Sequence, residues 1–145
     1  MPGPKPIPLE NYDPNQVFLT FNGVNIDGFE QGTFIEIDYR KDAFSLKMDI
    51  SGSGTRSKTN DYSATITITL TQRSASNQML STYSNIDRDT GAGYGVLQCK
   101  DNLGSDLFIA GSAWIAKPAK VDYALESTTR VWKFETDNLV QNQGN

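Results

Sequence analysis

The sequence predicts a mainly β fold, a β-sandwich or small barrel with one flanking α-helix. Three observations predict it. Apolar and polar residues alternate with period two in several separate runs, the pattern of strands with one packed face and one wet face. Only one stretch carries a helical stripe. Clusters of glycine, proline and asparagine separate the runs at short intervals, as turns require.

The elements follow in chain order. Four of the six prolines fall within residues 1–8, where they block helix and regular ladder bonding, so residues 1–15 read as an extended Pro-rich arm. Residues 16–136 form the β domain. Val17, Leu19 and Phe21 alternate with Phe18 and Thr20 before an Asn22-Gly23 turn signal. Ile35, Ile37 and Tyr39 oppose Phe34, Glu36 and Asp38 over 33–39. Phe44, Leu46, Met48 and Ile50 alternate with Ser45, Lys47 and Asp49. Over 62–72, Ala64, Ile66, Ile68 and Leu70 alternate with Thr65, Thr67, Thr69 and Thr71. The helix follows, with Ser74 or Ser76 as its cap, Met79, Leu80, Tyr83 and Ile86 as its stripe, and Gly91 and Gly93 as its stop. Further strands are expected over 95–100, 107–116 and 129–136, with Lys117-Pro118 breaking between the last two. Residues 137–145 form a polar tail whose apolar anchors are Leu139 and Val140. Both termini fit either disorder or arms that order on a neighbouring subunit.

Bulk composition narrows the function classes. A chain of 145 residues suits one domain, and a domain of that size buries roughly 68–70% of its unfolded surface. The 13 basic and 17 acidic residues leave a net charge of −4, the wrong sign for a protein that grips phosphates. No apolar run reaches the length of a membrane span, so no membrane anchoring is expected. There is no histidine and one cysteine, Cys99, which excludes Ser-His-Asp and Cys-His catalysis, His-containing zinc sites and thiolate clusters. A free thiol suits a reducing cytoplasm. Asn85–Gly91 lacks the spacing and downstream glutamate of a calcium loop. Gly52–Lys58 lacks the glycine that a phosphate loop places before its lysine, and Gly91–Gly95 leads into a strand rather than a helix. Glu36 and Asp38 lie two apart on one strand face and read as a solvated face rather than a paired-carboxylate site. No enzyme activity, metal or cofactor is expected.

The polar faces are the most distinctive surface. Thr65, Thr67, Thr69 and Thr71, with Glu36, Asp38, Ser45, Lys47 and Asp49, are hydroxyl-rich and of mixed charge. β-Branched threonine is simply a good exposed-strand residue. The same surface also suits a channel wall, because it lacks the basic stripe and stacked aromatics that hold nucleic acid in place.

The stretch Asp61–Ser81, DYSATITITLTQRSASNQMLS, resembles the signature region of bacteriophage tail tube proteins. In that family a strand of alternating threonine and aliphatic residues, here Thr65 to Thr71, runs into a Gln-x-Ser turn and a helix beginning near Ser-x-Asn. The matching positions are Gln72, Ser74, Ser76 and Asn77. The resemblance extends over roughly residues 17–135 and takes in the glycine-rich segment before the strand. It implies a small β-sandwich or barrel whose long hairpins join those of neighbours in a homohexameric ring. Stacked rings would form the hollow conduit of a contractile, myovirus-like tail, related to pyocin and type VI secretion tubes. The implied partners are copies of the same chain, the tail sheath, baseplate and tail terminator proteins, and double-stranded DNA passing through the lumen without specific binding. The implied location is the virion tail, assembled in the host bacterial cytoplasm. On this resemblance the lumen candidates are Glu36, Asp38, Ser45, Lys47, Asp49, Thr65, Thr67, Thr69 and Thr71. A flexible inter-ring loop is expected at Ser51, Gly52, Ser53, Gly54, Thr55, Arg56, Ser57, Lys58, Thr59 and Asn60. Lys47 departs from an acidic lumen and requires either a carboxylate across the strand or a place on another surface.

Two rival readings remain. A carbohydrate-binding or adhesin-like sandwich would need exposed aromatics from among Tyr12, Tyr94, Trp114, Tyr123 and Trp132, of which Trp114 and Trp132 read as core. Another ring component of the same fold, such as a tube terminator, a baseplate hub or a secretion-system tube, is the second.

Overall fold

The computed structural model describes residue 3 and residues 9–144. Pro2, Pro4, Pro6 and Pro8 lie outside the described residues, as do Met1, Lys5 and Ile7 of the expected arm. Where the chain enters the domain, the Asp13 carboxylate accepts from the Asn15 backbone N–H at 2.9 Å and caps a single 3-10 turn, Pro14–Gln16.

Ten strands and one helix follow: β1 (Val17–Phe21), β2 (Val24–Ile26), β3 (Ile35–Tyr39), β4 (Phe44–Met48), β5 (Gly54–Lys58), β6 (Ala64–Thr71), α1 (Ser76–Thr90), β7 (Gly95–Asp101), β8 (Leu107–Lys117), β9 (Thr129–Thr136) and β10 (Leu139–Asn142). Asn22 and Gly23 join β1 to β2 with φ of 53° and 79°, the pair of positive angles that a tight hairpin turn demands. Eight strands form one antiparallel sheet in the order β2-β1-β7-β8-β9-β6-β3, with β10 beside β8. Within this sheet β2 and β3 are the ends, so it curls into a sandwich-like shell and not a closed barrel.

The core fills the concave side. Along β6 the burial alternates at every residue: Ala64, Ile66, Ile68 and Leu70 are fully buried and the four threonines are half-buried. Across from them β9 buries Trp132 and Phe134, β1 buries Leu19 and Phe21, and β7 buries Leu97 and Cys99. Phe21 sits at the centre, 4.9 Å edge-on from Tyr83 and 5.2 Å from Phe134 between ring centroids. Helix α1 closes one side with Leu80 fully buried and Met79 and Tyr83 packed on the core. Ile86, the last member of the expected stripe, is exposed.

The helix termini differ in detail from the sequence reading. Ala75, not a serine, occupies the N-cap position. Ser74 still works from one residue further back: its hydroxyl accepts from the Ser76 N–H at 3.2 Å and donates to the Asp27 carbonyl at 2.6 Å. The Ser76 hydroxyl accepts from the Asp27 N–H at 3.1 Å. The serines therefore tie the helix start to the β2–β3 connection instead of capping it alone. At the other end Gly91 adopts φ 72° and its N–H reaches the Asp87 carbonyl, the left-handed stop that glycine permits. Gly93 serves close packing. A Cβ there would collide with the Tyr83 carbonyl oxygen and lie 2.7 Å from the Asp87 backbone nitrogen. Gly93→Ala is therefore expected to lower stability by about 1–3 kcal/mol, read as a reduced midpoint in urea unfolding.

Four expectations change on the structure. Gly54–Lys58 is a strand, so the segment 51–60 is not one flexible loop. Its backbone pairs with β4 in the register Phe44↔Lys58, Leu46↔Arg56 and Met48↔Gly54. β4, expected to present a packed face, leaves Phe44, Leu46 and Met48 exposed, because β4 and β5 form a separate two-stranded sheet. Leu139–Asn142, within the polar tail, adds to β8 as a strand and buries Leu139. Trp114 is half-buried on the outer face, since its neighbours Ala113 and Ile115 take the inner one.

Candidate assembly surface

The nine lumen candidates do not share one surface of this chain. Six do: Glu36, Asp38, Thr65, Thr67, Thr69 and Thr71 lie on the outer face of β3 and β6. Registers extend that face into β9. Glu36 stands opposite Thr67, which stands opposite Lys133; Asp38 stands opposite Thr65, which stands opposite Glu135. Lys133 and Glu135 approach to 3.9 Å. The face is thus a hydroxyl row flanked by carboxylates on one side and a mixed pair on the other. Sequence reading missed the β9 contribution, although the same alternation is visible at Lys133 and Glu135.

Ser45 and Lys47 lie on the hairpin instead, and Asp49 lies in its turn. Opposite Lys47 stands Thr55, and opposite Ser45 stands Ser57. Lys47 has no carboxylate across the strand; it belongs to a different surface. Asp49 organises the turn. Its Oδ1 accepts from the Ser51 hydroxyl at 2.6 Å, the Ser51 N–H at 3.0 Å and the Ser53 N–H at 2.9 Å. These bonds, the Ser51 hydroxyl foremost, hold its carboxyl below the usual range.

The other face of the hairpin is apolar and unpartnered. Phe44, Leu46 and Met48 share it with Arg56 and Lys58, and the Arg56 guanidinium lies 3.9 Å above the Phe44 ring. Leu46 is 69% exposed, and Ile50 at the tip is fully exposed. Of the expected inter-ring residues, Ser51, Gly52 and Ser53 form the tip, Gly54, Thr55, Arg56, Ser57 and Lys58 form β5, and Thr59 and Asn60 lead back to the sheet. At the base, Asp61 accepts from the Ser63 hydroxyl at 2.6 Å and lies 3.9 Å from Lys41. The Ser63 hydroxyl is the main cause of its lowered pKa, and Lys41 adds a smaller effect. A hairpin with one exposed apolar face is the kind of surface that marks an interaction site.

The four motif residues are structural. Gln72 accepts the Thr128 N–H at 3.0 Å through its side-chain oxygen. Asn77 donates to the carbonyls of Thr71 and Gln72 at 3.0 and 3.3 Å and accepts from the indole N–H of Trp132 at 2.9 Å. The Asn77 bonds lock the helix start onto the end of β6 and onto β9, while those of Ser74 and Ser76 tie it to the β2–β3 connection. Asn77→Ala leaves the buried Trp132 N–H without its partner and is expected to cost about 1–3 kcal/mol, measured as a lower thermal midpoint. Among the described residues no group of three or more His, Cys, Asp or Glu side chains could hold a metal ion, and no helix is long and apolar enough to cross a membrane.

Comparison with known proteins bears on this arrangement. No protein-family model matches the sequence. The chain is 27% identical over 143 residues to structural protein ORF10 of Pseudomonas phage KPP10, covering 92% of this chain and 83% of the relative. The structure superposes with a TM-score of 0.65 on a chain of the sheath/tube terminator of the extracellular contractile injection system PVC, at 10% identity, covering 94% of this chain and all of that one. It superposes at 0.63 on the tube-terminating cap of the anti-feeding prophage, again at 10% identity, covering 95% of each chain. A chain of the PVC sheath–tube complex matches at 0.61 and 10% identity over 91% of both. The fold is that of contractile-injection-system components. The resemblance to phage tail tube proteins drawn from Asp61–Ser81 agrees with both comparisons. Of the five aromatics a glycan-binding reading would draw on, Tyr12, Tyr94 and Tyr123 are exposed, Trp114 is half-buried and Trp132 lies in the core.

Proposed function

We propose that this chain is a structural ring subunit of a contractile phage tail, whose homohexameric rings stack into the hollow tube that conducts the genome into the host. The observation that carries the reading is the hairpin β4–β5, which turns Phe44, Leu46, Met48 and Ile50 to solvent in the isolated chain. Four large apolar side chains side by side on a hairpin are an aggregation hazard unless assembly covers them. The phage structural relative, aligned over nearly the whole chain, supports the setting. In this reading the outer face of β3, β6 and β9 lines the bore. Threonine hydroxyls and scattered carboxylates there let DNA pass without a grip. Sheath, baseplate and terminator proteins are the other partners, and the chain has no catalytic role.

A second reading is a tube terminator, favoured by the superpositions on a sheath/tube terminator and on a tube-terminating cap. Negative-stain electron microscopy of the purified chain across a concentration series separates the two. Hollow tubes of indefinite length are the expected result. Single rings that never stack would assign the terminator role, and monomers at every concentration would sink the ring reading altogether.

A further inference from the structure

The main sheet leaves a seam open between its two ends. β1 and β7 form one wall, and β3 with the chain before it forms the other. Two adjoining hollows of about 600 and 490 Å³ run along the seam and share Val17, Gly32 and Phe34. The lining is apolar at Val17, Phe18, Phe34, Ile35, Ile37 and Phe108. Its charged groups are of one sign: Asp27, Glu30, Asp101 and Asp106 line it, and no lysine or arginine does. None of these four carboxylates enters an ion pair among the described residues. The Cys99 thiol beside the seam is pushed up to about 11 by burial and further by Asp106 and Asp101.

The hairpin is the inverse of this surface. Its exposed face combines Phe44, Leu46 and Met48 with Arg56 and Lys58. Over residues 44–58 it carries three cations, Lys47, Arg56 and Lys58, against one carboxylate, Asp49. We propose that the open seam of one copy receives hairpin β4–β5 of a second copy, with the hairpin's aromatic and aliphatic residues on the seam's apolar lining and Arg56 and Lys58 against its carboxylates. The unpaired edge of β3 adds backbone donors and acceptors for an incoming strand. Opposite charge selects this partner over other apolar surfaces. Because hairpin and seam are different patches, the contact is heterologous: each copy gives one hairpin and receives one, which generates a ring where the rotation between copies closes. The inference rests on the ring reading above and names the surface that reading leaves unspecified.

Two complementary variants test it. Asp101→Lys with Asp106→Lys spoils the seam and keeps the hairpin. Leu46→Asp with Ile50→Asp spoils the hairpin and keeps the seam. Each alone is expected to remain monomeric by light scattering, with unchanged far-ultraviolet circular dichroism. Mixed, they are expected to form a 1:1 complex of twice the chain mass that grows no further, since one intact hairpin meets one intact seam. Adding Arg56→Glu and Lys58→Glu to the seam variant should restore assembly. If the lysine pair misfolds, Asp101→Asn with Asp106→Asn is read instead, with at least a roughly tenfold higher concentration expected for assembly, equivalent to 1.4 kcal/mol. A seam variant that assembles normally while the hairpin variant does not would overturn the seam and leave the ring reading standing. A hairpin variant that assembles normally overturns the inference and leaves the ring reading standing, whereas an unmodified chain that stays monomeric overturns both. If removal of residues 1–8 stops pairing and the hairpin variant does not, the seam takes the N-terminal segment and the inference falls.

Discussion

Phe134→Ala is expected to lower the unfolding free energy by about 3–5 kcal/mol and to leave little folded protein at 37 °C. The ring is fully buried in the middle of β9 and sits 5.2 Å from Phe21. Phe21 is itself held edge-on by Tyr83 from the helix. Removing the ring loses its transfer free energy and also opens a cavity that three different elements would have to move to fill, the circumstance in which truncation costs most. Domains of this size hold about 5–15 kcal/mol in total, so one ring is a large share. Phe134→Leu keeps most of the volume and should cost under about 1.5 kcal/mol. Urea unfolding followed by tryptophan fluorescence reads both, because Trp132 lies two residues away on the same face of β9. Equal, small losses for the two variants would mean that the site collapses freely and that the core is not organised around Phe134.

The main sheet was largely legible in the sequence because its strands obey period two and its turns carry the residues their angles require. The strand over 64–71 and the Asn22-Gly23 turn are where expected, and the strands over 95–101, 107–117 and 129–136 agree within a residue or so at their ends. What escaped reading has three physical causes. First, alternation shows that a strand has an apolar face but not which chain covers it. Phe44, Leu46 and Met48 therefore looked like core, although they face solvent in the isolated chain. Second, pairing can impose strand on a segment with no pattern of its own. Gly54–Lys58 has no large apolar residue, yet its backbone completes the ladder with β4. Leu139–Asn142 became a strand in the same way, through β8. Trp114 and Trp132 illustrate a third limit: both sit in apolar runs, and only the phase of the neighbouring strands decides that one is inside and the other half outside. For the candidate surface, the six residues of β3 and β6 could be grouped from their common phase. Ser45, Lys47 and Asp49 could not be separated from them, because nothing local marks where one sheet ends and another begins.

The hairpin variant Leu46→Asp with Ile50→Asp is expected to abolish ring and tube formation while leaving the monomer as stable as before. Both side chains are exposed in the isolated chain, so their replacement should change monomer stability by no more than about 0.5 kcal/mol. In an assembly each would bury most of its surface, worth about 1.5–3 kcal/mol per side chain. Introducing a carboxylate reverses that sign, because a charge buried without a partner costs several kcal/mol. In a closed ring every subunit meets the loss at each of its contacts, so the penalty multiplies around the ring. Deleting 52–59 removes all of β5 and should give the same loss of tubes by a different route, since Phe44–Met48 then has no strand to pair with. Ser45→Asp with Thr55→Asp is the control: it adds the same two carboxylates to the opposite face of the hairpin and should assemble. Tubes of ordinary length from the Leu46→Asp, Ile50→Asp chain would show that the apolar face is not an interface, whereas loss of tubes in that chain alone would fix which side of the hairpin the neighbour covers.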